Sequence, residues 1–170
     1  MVKEETDAHE TVPALERLYE THIDRAVRLA FLITGDRELA QDIAHDAFVK
    51  IAARFHDLRH REAFPAYLRS TVLNLGRSHL RRLRVQRDYL KREASRRDTE
   101  TYSTDFEARD EMWAALQKLP YRRRAALVLR YYEDLTEEQT ADALSCSVPA
   151  VKALVARGLE GLRAMDREET

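Results

Sequence analysis

Apolar side chains in this chain recur every three or four residues. Leu15, Leu18, Tyr19, Ile23, Ala26, Val27, Ala30 and Phe31 keep that spacing, and Leu39, Ala40, Ile43, Ala44, Ala47, Phe48 and Ile51 repeat it. Such a period lays one apolar stripe along an α-helix; a half-buried strand would need a period of two. The chain is thereby confined to packed amphipathic helices. Four Gly and four Pro among 170 residues are also too few for the many tight turns of an all-β fold. The expected fold class is all-α: two small helical domains joined by a flexible acidic linker.

Breaks in the pattern give the organisation. Thr34-Gly35-Asp36 ends a first helix, and Asp36 is placed to cap a second that closes near Phe55. Gln41, Asp42, His45, Asp46 and Lys50 fall on its outer face. After a polar connection over His56–Glu62, Phe64-Pro65 opens a long third helix through Tyr67, Leu68, Val72, Leu75 and Leu80, with proline tolerated in the first turn. Helical spacing resumes at Met112, Trp113, Ala115, Leu116 and Leu119, stops at Pro120 and continues to Tyr132. The expected units are a flexible N-terminus (1–12), a first domain (13–92), a linker (93–110) and a second domain (111–166).

Charge separates these units more sharply than the net value of −1 reveals. Residues 61–92 hold nine basic and two acidic side chains, whereas 93–111 hold three and seven. The basic block is the second half of the third helix: Arg77, His79, Arg81, Arg82, Arg84 and Arg87. A helix face that is merely solvated would intersperse acids at i,i+4, and almost none occur here. This is the electrostatic footprint of a polyanion binder. The aromatics ahead of it suit stacking on unpaired bases; Phe64 reads as core, while Tyr67 is open to either role.

The run Leu135-Thr-Glu-Glu-Gln-Thr-Ala-Asp-Ala-Leu-Ser-Cys-Ser-Val-Pro-Ala-Val-Lys-Ala-Leu-Val155 has the form of a helix-turn-helix. Thr136 and Gln139 make a capping box, Ala141 is small where two helices would cross, and Ser145-Cys146-Ser147 is the turn. The last helix runs from Val148 to about Arg163. Val151, Val155, Leu159 and Leu162 point inward, and Ala150, Lys152, Ala153, Ala156 and Arg157 face the side that would enter a major groove. Any helical hairpin with a short turn would imitate this pattern.

Enzyme chemistry finds no foothold. The six histidines His9, His22, His45, His56, His60 and His79 lack metal-ligand spacing, and no Gly-rich phosphate loop or Gly-x-Ser-x-Gly elbow occurs. No cofactor, metal or catalytic residue is expected. Cys146 is the only cysteine and reads as a small buried hydrophobe; Trp113 and Leu116 read as core. The acidic N-terminus has no apolar targeting segment and no span approaches the roughly 20 apolar residues that cross a bilayer, so a cytoplasmic protein is expected.

Taken in order, three segments resemble the extracytoplasmic-function (ECF) sigma factors of the sigma-70 family. Asp36-Arg-Glu-Leu-Ala-Gln-Asp-Ile-Ala-His-Asp-Ala-Phe-Val-Lys50 resembles their regions 2.1–2.2, and Phe64 to Arg82 resembles regions 2.3–2.4. Leu116 to Leu144, with the helix after it, resembles region 4. The resemblance covers roughly residues 14–165, and Ala-Tyr-Leu-Arg and Leu-Ser-Cys-Ser-Val are most similar to the actinobacterial SigE-like group.

That resemblance implies a promoter-recognition subunit of bacterial RNA polymerase. Asp42, His45, Asp46 and Lys50 would face the clamp coiled coil of the β′ subunit. Tyr67, Asn74, Arg77, Ser78, Arg81 and Arg82 would meet −10 DNA, with a loop pocket around residues 54–62 holding a flipped base. Ala150, Lys152, Ala153, Arg157 and Arg163 would meet −35 DNA while the second domain sits on the β flap. An anti-sigma protein is the further partner implied, and Asp98, Glu100, Asp105 and Glu107 would mimic nucleic acid in the RNA channel. Two departures stand out. His45 replaces the family's usual Gln, and Ala150, Ala153, Leu154, Ala156, Leu159 and Gly161 stand where the family often carries polar or basic side chains. Weak −35 binding by the second domain alone is expected. Two rival readings are a helix-turn-helix regulator binding duplex DNA unaided and a sigma-like protein acting through protein contacts.

Overall fold

Each apolar stripe becomes a buried helix face in the computed structural model of the chain, which describes residues 2–54, 61–93 and 110–168, with side chains over 13–54, 62–89 and 112–167. The order is α1 (Val2–Thr34), α2 (Arg37–Ala52), a 3-10 turn (Arg61–Ala63), α3 (Phe64–Glu93), α4 (Asp110–Lys118), α5 (Tyr121–Leu127) continuing into a π-helical turn (Val128–Tyr132), α6 (Glu137–Leu144) and α7 (Val148–Glu168). Among the described residues every regular element is helical. The α1 backbone is already helical at residues 2–12, where the sequence predicts a flexible terminus, and it passes through Pro13. The expected linker lies outside the described residues except at its ends, Glu93 and Asp110, and the expected loop pocket does so over 55–60.

Local chemistry sets the boundaries. Gly35 turns the chain after α1 at φ 79°, its N–H donating to Phe31 O at 2.8 Å, and the Asp36 carboxylate then accepts from Leu39 N at 3.0 Å to start α2. Thr136 and Gln139 form the reciprocal capping box of α6. Ser145 takes the left-handed conformation at φ 50°, Cys146 N–H reaches back to Ala141 O at 2.9 Å, and Ser147 Oγ accepts from Ala150 N at 3.3 Å. Cys146 is half-buried in this turn, not fully buried as its residue type suggests.

Helices α1, α2 and α3 enclose one part of the core. Ala40, Ala44 and Ala47 are fully buried, and their small side chains let α2 lie close against α1. Phe64, at 0% exposure, packs its ring 5.5 Å from that of Phe48. A side chain of that size contributes about 2–3 kcal/mol on burial. Helices α4 to α7 enclose Leu119, Ala125, Ala126, Leu127, Val128, Leu129, Ala141 and Val151.

The two helical groups are packed on one another, and the core runs from α1–α3 into Ala125, Val128, Leu129 and Leu135 without a break. A helix leaves its last four carbonyls without intrahelical donors. Gly35 satisfies Phe31 O; Gln117 Nε2 donates to Leu32 O at 2.9 Å, and Arg124 Nη1 donates to Ile33 O. The second group therefore caps the C-terminus of α1. Beside this cap Phe31 and Trp113 stack at 5.3 Å and 10°, and the half-buried Tyr121 donates its hydroxyl to Leu73 O at 2.6 Å. Burial pushes the Tyr121 phenol above its ordinary pKa, so it stays a donor.

Candidate nucleic-acid interface

On α3, Leu68, Val72, Leu73 and Gly76 take the inner face. A Cβ at Gly76 would sit 3.3 Å from Ile33 Cγ2, which marks the close crossing of α3 over α1. The opposite face carries the expected −10 set: Tyr67, Asn74, Arg77, Ser78, Arg81 and Arg82 are all exposed, Tyr67 at 54%. Beyond Gly76 the helix continues to Glu93, and Arg84 and Arg87 are exposed as well. Among the described residues none of Arg77, Arg81, Arg82, Arg84 and Arg87 is paired with a carboxylate. Five guanidinium groups on one helix with no carboxylate partner among the described residues leave a field directed at solvent.

On α2 the inner face is alanine-rich, so Asp42, His45, Asp46 and Lys50 all project outward. The His45 ring meets Tyr19 edge-on at 6.4 Å. Between α1 and α2 lies an open apolar groove of about 320 Å³ whose lining includes Leu15, Tyr19, His45, Phe48 and Val49. Val49 is 55% exposed there and joins the acidic residues on the same face.

On α7, Lys152, Ala153, Arg157 and Arg163 are exposed and Ala150 is half-buried. They do not form one stripe. At about 100° per residue, Ala150, Ala153 and Arg157 share one side, while Lys152 and Arg163 lie together roughly 120° around the helix from Arg157. Lys152 Nζ is also engaged by Glu137 Oε2 at 3.3 Å. Leu159 and Gly161 are half-buried, and a Cβ at Gly161 would come within 2.7 Å of Leu119 Cδ2. These two positions face the bundle, so the absence of polar side chains there subtracts nothing from the exposed side of α7. The inward place of Leu159 is the one its spacing predicts, and that of Gly161 is new.

A further polar cluster sits where the two helical groups meet. His22, Arg25, Arg69 and Glu133 line a cavity of about 120 Å³ floored by Ala26, Leu29, Leu68 and Val72. Arg25 Nε lies 3.0 Å from Glu133 Oε2 and 3.2 Å from Oε1. Burial first, then the charges of Arg25 and Arg69, lowers the pKa of His22; burial also lowers that of Arg69. Sequence reasoning missed this cluster because Arg25 and Glu133 are 108 positions apart and neither interrupts a periodic pattern. Among the described residues no group of His, Cys, Asp and Glu is arranged to hold a metal, and no helix is long and apolar enough to cross a membrane. His56 and His60 lie outside the described residues.

Comparison with known proteins agrees with this two-part arrangement. Residues 18–86 match the family described as Sigma-70 region 2, and residues 109–162 match Sigma-70, region 4. The chain is 27% identical over 160 residues to the ECF RNA polymerase sigma factor SigE of Mycolicibacterium smegmatis, covering 89% of this chain and 61% of that protein. It is 28% identical over 175 residues to the RNA polymerase sigma-E factor of Streptomyces avermitilis, covering 95% and 96%. In fold it is similar to the sigma factor RpoE solved with the anti-sigma factor NepR from Bartonella quintana, with a TM-score of 0.71, 17% identity, and coverage of 89% and 96%. With both regions present in order and ECF sigma factors as relatives over most of its length, the chain belongs to the sigma-70 family as an extracytoplasmic-function sigma factor.

Proposed function

We propose that this chain is a cytoplasmic specificity subunit of RNA polymerase that carries out no covalent chemistry of its own. Residues 13–92 form the unit that binds the β′ clamp coiled coil through Asp42, His45, Asp46 and Lys50. The same unit opens the −10 element along Tyr67, Asn74, Arg77, Ser78, Arg81 and Arg82. Residues 111–166 sit on the β flap and present Ala150, Lys152, Ala153, Arg157 and Arg163 to the −35 element, with 93–110 as the connection. The observation that carries this reading is the exposed arginine-rich stretch of α3, without a carboxylate partner among the described residues, in one chain with a capped helix-turn-helix. Arginines on phosphates supply salt-sensitive affinity, whereas Asn74 in the same row offers the amide that discriminates among base edges.

The packed arrangement must open for this function. Elements centred near −10 and −35 are about 25 base pairs apart, or roughly 85 Å at 3.4 Å per pair. A compact chain of this length is only about 40 Å across. Residues 94–109, fully extended, reach at most about 55 Å, which together with the breadth of two separated units covers that span. The closed form is therefore a state in which the two readers cannot act together. RpoE was solved with its anti-sigma factor, and the similarity of fold over both units supports an anti-sigma partner that holds this chain closed.

Reconstitution with core RNA polymerase, followed by mapping of transcript 5′ ends, tests the reading. Initiation at defined promoters is the expected result. DNA binding without polymerase, or assembly with polymerase that starts no transcript, would replace the reading with an autonomous regulator or a protein-interaction factor.

A further inference from the structure

Region 2 turns more positive charge toward the seam than region 4 answers. His22 and Arg25 stand one turn apart on α1 and Arg69 comes from α3, all within the region 2 match, whereas Glu133 is the one acid that region 4 brings to the lining of the same cavity. Arg25 directs its Nε at both oxygens of that carboxylate. Arg69 has no ion pair among the described residues, and its Nε is shut off from solvent without an acceptor. Burial lowers the pKa of Arg69 more than the charge of Glu133 raises it. A buried charged N–H in that state is stabilised by an acceptor that the chain does not itself supply.

We propose that His22, Arg25 and Arg69 form a binding site for a dianionic oxyanion of the phosphate class, and that Glu133 is its internal competitor, whose displacement frees region 4. The site stands on the cavity alone; the release step rests on the packed chain having to open for function. At about 120 Å³ the cavity offers several times the roughly 10–15 Å³ that one water requires, enough for a tetrahedral oxyanion. Its floor is apolar, so an anion there feels the guanidinium groups with less screening than in bulk water. The Arg25 side chain is 58% exposed, and a solute reaches it before the seam opens. A carboxylate offers two oxygens and one charge. A phosphate dianion offers more of both, and takes the Arg25 fork and the Arg69 Nε together, with His22 donating beside them. In the packed chain the bound dianion faces the Glu133 carboxylate and is repelled by it. It therefore binds the open chain more tightly, and by linkage its binding favours that form.

Two measurements on the full chain, without polymerase, separate the site from the release. Calorimetry reads binding. The emission of Trp113, the one tryptophan of the chain, reads the seam, because opening removes its stack on Phe31. Sodium phosphate and glycerol 3-phosphate are titrated against sodium chloride at a constant ionic strength of about 0.15 M, where exposed charges more than about 8 Å apart are largely screened. Phosphate should bind and shift the emission to the red, and chloride should do neither. Arg69→Gln should weaken phosphate about tenfold, the loss of one charge-assisted hydrogen bond. Glu133→Gln should strengthen it about fivefold, because the competing charge is gone. Glycerol 3-phosphate acting as phosphate does would assign the terminus of a phosphomonoester, and a response to phosphate alone would assign the free ion; either result supports the site. Changes that chloride reproduces, or Arg69→Gln binding phosphate as wild type does, would overturn it. Binding with the emission unmoved, or Glu133→Gln binding no tighter, would overturn the release and leave the site standing. Failure of the chain to initiate transcription would touch neither result, since no polymerase is present.

Discussion

Arg25 Nε lies 3.0 Å from Oε2 of Glu133, and this pair joins region 2 to region 4 across the seam. The Glu133 side chain is 1% exposed and that of Arg25 58% exposed, so opening the seam rehydrates the carboxylate more than the guanidinium. Arg25 Nη2 also reaches the Glu133 carbonyl at 3.4 Å, from a loop held by Asp134 at φ 53°. A half-exposed pair contributes about 1 kcal/mol, enough to shift a balanced equilibrium between closed and open forms severalfold. Glu133→Gln, which keeps the shape and removes the charge, should raise the radius of gyration above the roughly 15–16 Å of a compact 170-residue chain. Small-angle X-ray scattering of wild type and variant checks this, and unchanged curves at low and high salt would show that the pair does not hold the seam.

His22 should make the closed chain sensitive to mild acid. Its pKa lies below the ordinary value of about 6.5, through burial first and then through Arg25 and Arg69. The unfolded chain therefore binds a proton at a pH where the closed form does not. Stability rises with pH across the interval between the lowered value and about 6.5, and it is lost as pH falls through that interval. The other groups around the ring are the Glu133 carboxylate, across the cavity, and the Phe64 face at 5.7 Å. The melting temperature should fall between about pH 7.5 and about pH 5.5, and His22→Gln should flatten that fall. An identical pH profile in the variant would place the dependence on another group.

The helices were legible because helix signals are local. Asp36 caps α2 three residues from the N–H it accepts, and Thr136 with Gln139 does the same for α6. The seam was not legible, because its contacts join residues that no local pattern relates. Gln117 and Arg124 cap carbonyls 85 and 91 positions away, and a polar residue on a helix face carries no mark of the carbonyl it will reach. The acidic composition of 93–110 divides the chain into two domains without fixing their arrangement; the cap on α1 and the Phe31–Trp113 stack are what packs them together. The exposure of the α3 arginines followed from their excess over acids and the inward turn of Leu159 from its spacing, whereas that of Gly161 depended on the packing of α7 on its neighbours.

Arg124 should be the costliest single polar loss in the seam. Its guanidinium donates to Ile33 O, to Gln117 Oε1, to Gln117 O at 2.9 Å and to Leu119 O at 3.0 Å, and the residue is 8% exposed. Truncation leaves buried carbonyls without donors on both sides of the seam, at about 1–3 kcal/mol for each group left dry. Arg124→Ala should destabilise the chain by about 3 kcal/mol. Arg124→Lys should recover little, because an ammonium point charge does not reproduce the planar fork that spans these acceptors. Urea denaturation with a reduced midpoint and an unchanged slope is the expected result. Full stability of Arg124→Lys would show that charge, not fork geometry, makes the cap.

Two glycines of α7 should respond differently to the same added methyl group. A Cβ at Gly158 would stand 2.9 Å from Leu127 Cδ1 and 3.0 Å from Cγ, so the whole Leu127 side chain, itself 3% exposed, would have to shift. Overpacking of that kind costs about 1–3 kcal/mol, more than the roughly 1 kcal/mol that alanine gains over glycine within a helix. At Gly161 the close contact is with one terminal methyl, Leu119 Cδ2 at 2.7 Å, which a rotamer change relieves. There the helix gain and the packing loss nearly cancel. Thermal melts should therefore show Gly158→Ala destabilised by about 1 kcal/mol and Gly161→Ala within about 0.5 kcal/mol of wild type. If Gly158→Ala melts above the parent chain, Leu127 yields freely and the close seat of α7 on α5 does not depend on that glycine.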